Sequence, residues 1–198
     1  NYNYTSGSYT TKPTQSTSAI RNIYGLCPGK WRREYENVVT NSVATPQNFP
    51  LLRYSDVLLM YAEADNAVNN GPTKLGMDYV NLVRRRGYKI ASVNMNEVTP
   101  ADLNYLDYNK TEFVDKVLYE ERSRELCFEG LRQNDLIRWG KLIQTIQDVS
   151  NEFPTHGLPN HNAMIRATNI SEKNLLFPIP QLEYSLNRNL LPNNKGWE

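Results

Sequence analysis

Residues 119–140 read YEERSRELCFEGLRQNDLIRWG, and this stretch decides the fold. Nine of its residues are charged, yet Leu126, Phe128, Leu131, Leu136, Ile137 and Trp139, with Leu118 just before, recur at helical spacing. Amphipathic helices show this period. Helices that mix so many Arg and Glu residues with large apolar ones fix the charges in ion pairs with neighbouring helices. Arginine suits that role because its planar fork holds a carboxylate through two hydrogen bonds.

Working outward, Arg53 of an upstream amphipathic segment is the natural partner for Glu125, Glu129 and Asp135. Arg132 with Asp135, Asp135 with Arg138 and Glu121 with Arg124 stand at i, i+3, where side chains on a helix meet. We therefore expect a structural ion-pair network of Arg53, Glu125, Glu129, Arg132, Asp135 and Arg138. The alternative is a pair of glycosidase carboxylates. Surrounding arginines would hold both ionised, which is wrong for a general acid, so no catalytic residue is assigned.

The upstream segment runs from Phe49 to Ala64, FPLLRYSDVLLMYAEA. Pro50 is placed near its helix start, where a missing N–H is harmless. Leu51, Tyr54, Leu58 and Tyr61 are expected to form its apolar stripe, broadened by Val57, Met60, Ala64 and Ala67. Asn69-Asn70-Gly71-Pro72 ends the helix, with Gly71 suited to the left-handed cap. A second helix follows over 73–86, with Leu75, Tyr79, Leu82 and Arg86 on one side. The two make an αα-hairpin of the tetratricopeptide type. Asn109 with Glu112 marks the start of a third helix reaching about Glu129, and Gly130 separates it from a fourth over about 132–149. Residues 150–172 are expected to be irregular. Asn174 to Pro180 is expected to be extended because prolines forbid helix, and Gln181 opens a short helical turn.

Composition narrows the function classes. The 198 residues carry a net charge of +1 with both signs interspersed, so no basic field invites nucleic acid. No apolar run approaches the roughly 18 residues that read as a membrane-spanning helix. Cys27 and Cys127 are too few for a disulfide scaffold or a zinc site. A bridge between them is open to the chain, although Cys127 reads better as a small apolar residue on a helix. His156 and His161, in a Pro/Gly/Asn loop, match no zinc spacing. No metal or other cofactor is expected. Residues 1–48 are rich in Thr, Ser, Tyr, Asn, Pro and Gly and read as loop, with a strand over about 30–39.

Three ordered segments carry a resemblance. They are Asn48 to Ala64, Glu120 to Gly140 (EERSRELCFEGLRQNDLIRWG), and the closing pieces LFPIP (Leu176 to Pro180) and LNRNLLPNNKGW (Leu186 to Trp197), with VNLVRRRG (Val80 to Gly87) between the first two. In this order they resemble the carboxy-terminal part of SusD/RagB-family proteins. The resemblance implies a mainly α fold, with tetratricopeptide-type helix pairs scaffolding long irregular loops. It divides the chain into a loop-rich segment, 1–47, and a SusD/RagB carboxy-terminal region, 48–198, of a longer protein. It further implies a non-catalytic nutrient-binding lipoprotein of the outer-membrane cell surface, anchored by a lipid outside this chain. Such a protein delivers glycan to a SusC-like TonB-dependent transporter. RagB-like relatives capture peptides instead, and a helical protein-interaction module without small ligand is a third reading.

The resemblance transfers no binding residue. Candidate glycan contacts come from the aromatics of the irregular amino-terminal stretch. Flat rings with polar handles suit the C–H faces and hydroxyl edges of sugars, and Tyr9, Tyr24 and Trp31 are the candidates. Trp139 is expected in the core and Trp197 as a terminal anchor.

Overall fold

The computed structural model describes residues 46–154 and 163–197, together with Lys30 and the backbone of Tyr4–Thr5 and Ser8–Tyr9. Helices dominate. The chain divides into two compact units, Ser42–Arg132 and Gln133–Glu198 with Asn1–Asn41. The fold is mainly α, as the sequence pattern implies.

The Ser42–Arg132 unit is built on a hairpin of α1 (Tyr54–Val68) and α2 (Lys74–Gly87). Asn70, not Gly71, takes the left-handed conformation at the joint, φ 56°; asparagine tolerates it through local hydrogen bonds. Thr73 caps α2 by accepting from the Gly76 N–H at 3.2 Å. Asp65 of α1 reaches across to accept from the Thr73 N–H at 3.1 Å and its hydroxyl at 2.7 Å. Gly76 permits this approach, because a Cβ there would lie 2.5 Å from Asp65 Oδ2.

The buried faces differ from the expected ones. Helix α1 starts at Tyr54, four residues after Pro50, and buries Ser55, Asp56, Leu58, Leu59, Ala62 and Asn66. Leu51 is 89% and Tyr54 73% exposed, and Val57, Met60 and Tyr61 are exposed too. Of the expected stripe only Leu58 faces the core, because the packing surface includes three polar residues that no apolar pattern marks. On α2 the buried residues are Gly76, Met77, Val80, Asn81, Val83 and Arg85, while Leu75 and Arg86 are exposed. Each polar residue on these faces has a defined partner: Asn66 Nδ2 donates to Lys110 O at 3.0 Å, and Asn81 both donates to Leu103 O (2.9 Å) and accepts from the Leu103 N–H (2.8 Å).

The third helix begins as expected. Asn109 caps it and exchanges hydrogen bonds with Glu112 in a capping box, which satisfies otherwise orphaned N–H groups. α3 (Lys110–Glu112) runs straight into a π-helical segment, Phe113–Leu118, and then α4 (Tyr119–Glu125). Phe113, Val117 and Leu118 are fully buried and join Leu59, Met77 and Val80 in the core. Full burial of such side chains is worth about 1.5–3 kcal/mol each. Helix α4 ends at Glu125, short of the expected Glu129. Leu126–Gly130 form a turn in which Phe128 adopts φ 63° and stays exposed. Cys127 sits on this turn, exposed, rather than on a helix.

In the second unit the expected fourth helix is two helices, α5 (Arg132–Arg138) and α6 (Leu142–Glu152). Gly140, at φ 67°, turns the chain, with the Lys141 N–H on Leu136 O (2.8 Å) and the Gly140 N–H on Ile137 O (2.9 Å). This closing pattern requires a left-handed residue, so the sequence WG is a stop inside an apparently continuous amphipathic pattern. The stretch expected to be irregular contains α7 (Ala163–Asn169), which packs on α6. A 3-10 turn, Glu172–Leu175, precedes the extended Leu176 to Pro180, and α8 (Gln181–Leu186) follows. Tyr4–Thr5 and Ser8–Tyr9 form a two-residue antiparallel pair, β1 and β2, with Tyr4 opposite Tyr9. The strand expected over 30–39 lies outside the described residues apart from Lys30, which sits in a bend.

Candidate functional site

Arg53, the residue before α1, gathers the carboxylates of α4 and its following turn. Its Nε donates to both Glu129 oxygens at 2.9 and 2.8 Å. Its Nη1 meets Glu125 and the Ser55 hydroxyl, and its Nη2 donates to Glu125 O at 2.5 Å. Glu125 also pairs with Arg86. Burial pushes the Glu125 carboxyl up, and hydrogen bonds from Arg53, Ser55 and Arg86 outweigh it, so the group titrates below the ordinary carboxylate range. Glu121, buried, is held by Arg84 and by Arg124 at 3.0 Å.

Asp135 and Arg138 pair within α5 at 2.9 Å, Asp135 buried and the Arg138 side chain 41% exposed. Arg132 does something else. Its Nη1 donates to Tyr119 O at 2.9 Å and its guanidinium lies 4.0 Å from the Tyr119 ring centroid, a cation–π stack.

Two further pairs escaped the sequence pattern. Arg122 and Asp56 meet at 2.8 Å, both buried. Arg85, also buried, forks onto Asp102 and binds the carbonyls of Asn94 (2.8 Å) and Glu97 (2.6 Å). The signal for Arg85 was faint: it is the middle member of Arg84-Arg85-Arg86, and only the fold selects which of the three points inward.

Three depressions mark the described surface. One of about 550 Å³ lies against Arg53, Leu58, Val83, Arg86 and Ile90. A second, about 400 Å³, is lined by Lys74, Asp78, Arg85, Asp102 and the 95–98 loop among others. Their charged groups are already engaged: Arg53 and Arg86 with glutamates, Lys74 with Asp78, Arg85 with Asp102. The third, about 290 Å³ and within the other unit, has Trp197 and Phe177 beside Gln133, Arg166 and Asn169. Trp197 is tied down as an anchor, its Nε1 donating to Lys173 O (2.9 Å) and Leu176 O (3.1 Å). Trp139 is half-buried under Arg138, 4.6 Å from the ring centroid.

The candidate glycan contacts Tyr24 and Trp31 lie outside the described residues, as do Cys27, His156 and His161; of Tyr9 only the backbone is described, in β2. Among the described residues no cluster of His, Cys, Asp or Glu is arranged to hold a metal ion. No described helix is long and apolar enough to cross a membrane.

Comparison with known proteins gives a consistent answer. The family model described as the SusD family matches residues 1–197. The chain is 30% identical to SusD-like protein P25 of Formosa agariphila, over 89% of this chain and 34% of that protein. It is 31% identical to SusD-like protein P2 of the same organism, over 79% of this chain and 27% of that protein. A crystal structure of a SusD homolog from Bacteroides thetaiotaomicron superposes with a TM-score of 0.72 at 36% identity, covering 94% of this chain and 37% of the other. The chain thus spans about a third of the length of the relatives it matches.

Proposed function

We propose, from the premise that this chain belongs to the SusD family, that the full-length protein is a non-catalytic glycan-capture protein of the outer-membrane surface. It is held there by a lipid anchor and passes its ligand to a SusC-like TonB-dependent transporter. The observation that carries the reading is the family match along residues 1–197. The described chemistry supports its non-catalytic half. A glycosidase needs one carboxyl that stays protonated to act as general acid. Glu121, Glu125 and Glu129 are each held by arginine. For Glu125 the hydrogen bonds from Arg53, Ser55 and Arg86 outweigh burial and hold its carboxyl below the ordinary range, which favours the ionised form.

Tyr9, Tyr24 and Trp31 are the proposed stacking platforms. Affinity per site is expected to be modest, because sugar hydroxyls exchange one set of hydrogen bonds for another on leaving water. Retention of soluble full-length protein on polysaccharide affinity gels, with analysis of the polysaccharide afterwards, tests the reading. The expected result is retardation by an intact polysaccharide, weakened by Trp31→Ala. Cleaved product would replace capture with hydrolysis. Binding of peptides and of no glycan would place the protein with the RagB-like peptide-capture relatives.

A further inference from the structure

The depression on the Gln133–Glu198 unit differs from the other two in what its polar groups are doing. Gln133, Arg166 and Asn169 line it. All three are exposed, and their side chains make no hydrogen bond or ion pair with another described residue. Among the described residues no Asp or Glu lines it. The nearby Glu172 is engaged by Lys195, while Lys173 places its ammonium 5.5 Å from the Trp197 ring centroid. Among the described residues the site is therefore cationic, and the Arg166 guanidinium is uncommitted.

Its apolar wall is held in place by the chain's own tail. Trp197 is fixed by its two hydrogen bonds to Lys173 O and Leu176 O. Asn194 Nδ2 donates to Phe177 O at 2.7 Å, and Asn193 brackets the backbone of Ile179 through bonds of 2.8 and 3.3 Å. The extended backbone of Leu176–Ile179 is thereby pinned with Phe177 pointing outward, 85% exposed. Such a ring left in water is apolar surface that a ligand gains by covering.

We infer that this depression is a saccharide subsite that takes one pyranose ring bearing an acidic substituent, a carboxylate or a sulfate ester. The inference rests on the glycan-capture reading and locates part of it. Phe177 and Trp197 supply ring faces for sugar C–H bonds. Gln133 and Asn169 offer amide donors and acceptors to hydroxyls, and Arg166 presents the fork that matches a planar anionic group. A volume of about 290 Å³ sits at the small end of ligand pockets, enough for one ring and not for a chain.

The test is calorimetric titration of the full-length protein with oligosaccharides of equal length, neutral, uronate-containing or sulfated, on the unaltered protein and on Arg166→Gln and Phe177→Ala. Both substituted side chains are exposed, and unchanged melting curves would show that the variants fold. The expected result is a preference for an acidic oligosaccharide on the order of tenfold, the gain that about 1.4 kcal/mol represents. Arg166→Gln should abolish the preference, and Phe177→Ala should weaken acidic and neutral ligands alike. Acidic oligosaccharides bound equally by all three proteins would overturn the subsite and leave glycan capture standing, as would binding of neutral ones that neither substitution changes. If no saccharide binds, the subsite and the capture reading fall together.

Discussion

Arg85 and Asp102 close on each other as a two-bonded fork, Nε to Oδ1 at 2.8 Å and Nη2 to Oδ2 at 2.5 Å, with both side chains nearly fully buried. The same guanidinium binds Asn94 O and Glu97 O, so one side chain ties α2 to the 94–102 connector. A lysine keeps the charge but cannot reproduce a planar fork with four simultaneous bonds. Arg85→Lys is expected to cost about 2–4 kcal/mol, the loss of one or two charge-assisted hydrogen bonds. It should also speed hydrogen exchange at residues 94–99. Urea unfolding read beside exchange checks this; a stability change under about 0.5 kcal/mol would mean that the fork is incidental.

Asp102 also sets a pH dependence. Hydrogen bonds from Arg85 hold its carboxyl below the usual range; burial opposes them, and the Thr99 N–H and hydroxyl add to them. A carboxyl whose folded value lies under its unfolded one, about 3.9, contributes stability that is complete above that value. The contribution is lost as pH falls through the folded value. Glu125 shifts in the same direction, with an unfolded value of about 4.3. Stability should therefore be level near neutrality and fall below about pH 4. Asp102→Asn should lower the plateau and flatten the fall. Urea midpoints measured from pH 3 to 7 decide it, and curves that stay parallel would remove Asp102 from the account.

Glu129 and Arg138 belong to the same expected network but should respond differently. Glu129 is buried and takes both bonds from the Arg53 Nε; Glu129→Ala leaves a partly buried guanidinium short of a partner and should cost about 3–5 kcal/mol. Arg138 is well exposed where it meets Asp135, so Arg138→Ala should cost nearer 1 kcal/mol, the range of surface pairs. Chemical denaturation of both variants is the check, and equal losses would contradict it.

Gly76→Ala sets two effects against each other. Alanine is favoured over glycine within a helix by about 1 kcal/mol. The new Cβ, however, meets Asp65 Oδ2 at 2.5 Å, and Asp65 cannot swing aside without releasing Thr73. Overpacking costs about 1–3 kcal/mol, so the expected net is a loss. A thermal midpoint above that of the unaltered protein would show that Asp65 has room to move.

What the sequence disclosed follows the range of the forces involved. The α1–α2 hairpin and the Asn109 capping box obey local rules and could be read in place. So could Arg53 meeting Glu125 and Glu129, since an arginine beside apolar helix residues demands a carboxylate. The buried face of α1 could not, because Tyr54, Val57 and Tyr61 stay outside while Ser55, Asp56 and Asn66 go in, and an apolar pattern carries no instruction for that. Arg85 was hidden among three adjacent arginines. The cationic depression draws Gln133, Arg166, Phe177 and Trp197 from four separate segments, which no spacing rule connects; only Trp197 as an anchor was legible.

The π-helical segment Phe113–Leu118 acts as a phase adjuster. An α-helix advances about 100° per residue, and a π turn absorbs roughly one extra residue without advancing the side-chain pattern. Everything downstream is indexed by that single insertion: Glu121 toward Arg84, Arg122 toward Asp56, and Glu125 toward Arg53. Wound as a regular α-helix with all six residues kept, the segment would turn those charges about a third of a turn away from their partners, whereas removal of one residue between 113 and 118 would leave a plain α-helix with them still in phase. The ion-pair code of this unit is thus written in a reading frame, and the frame is kept by the six residues of the π-helical segment.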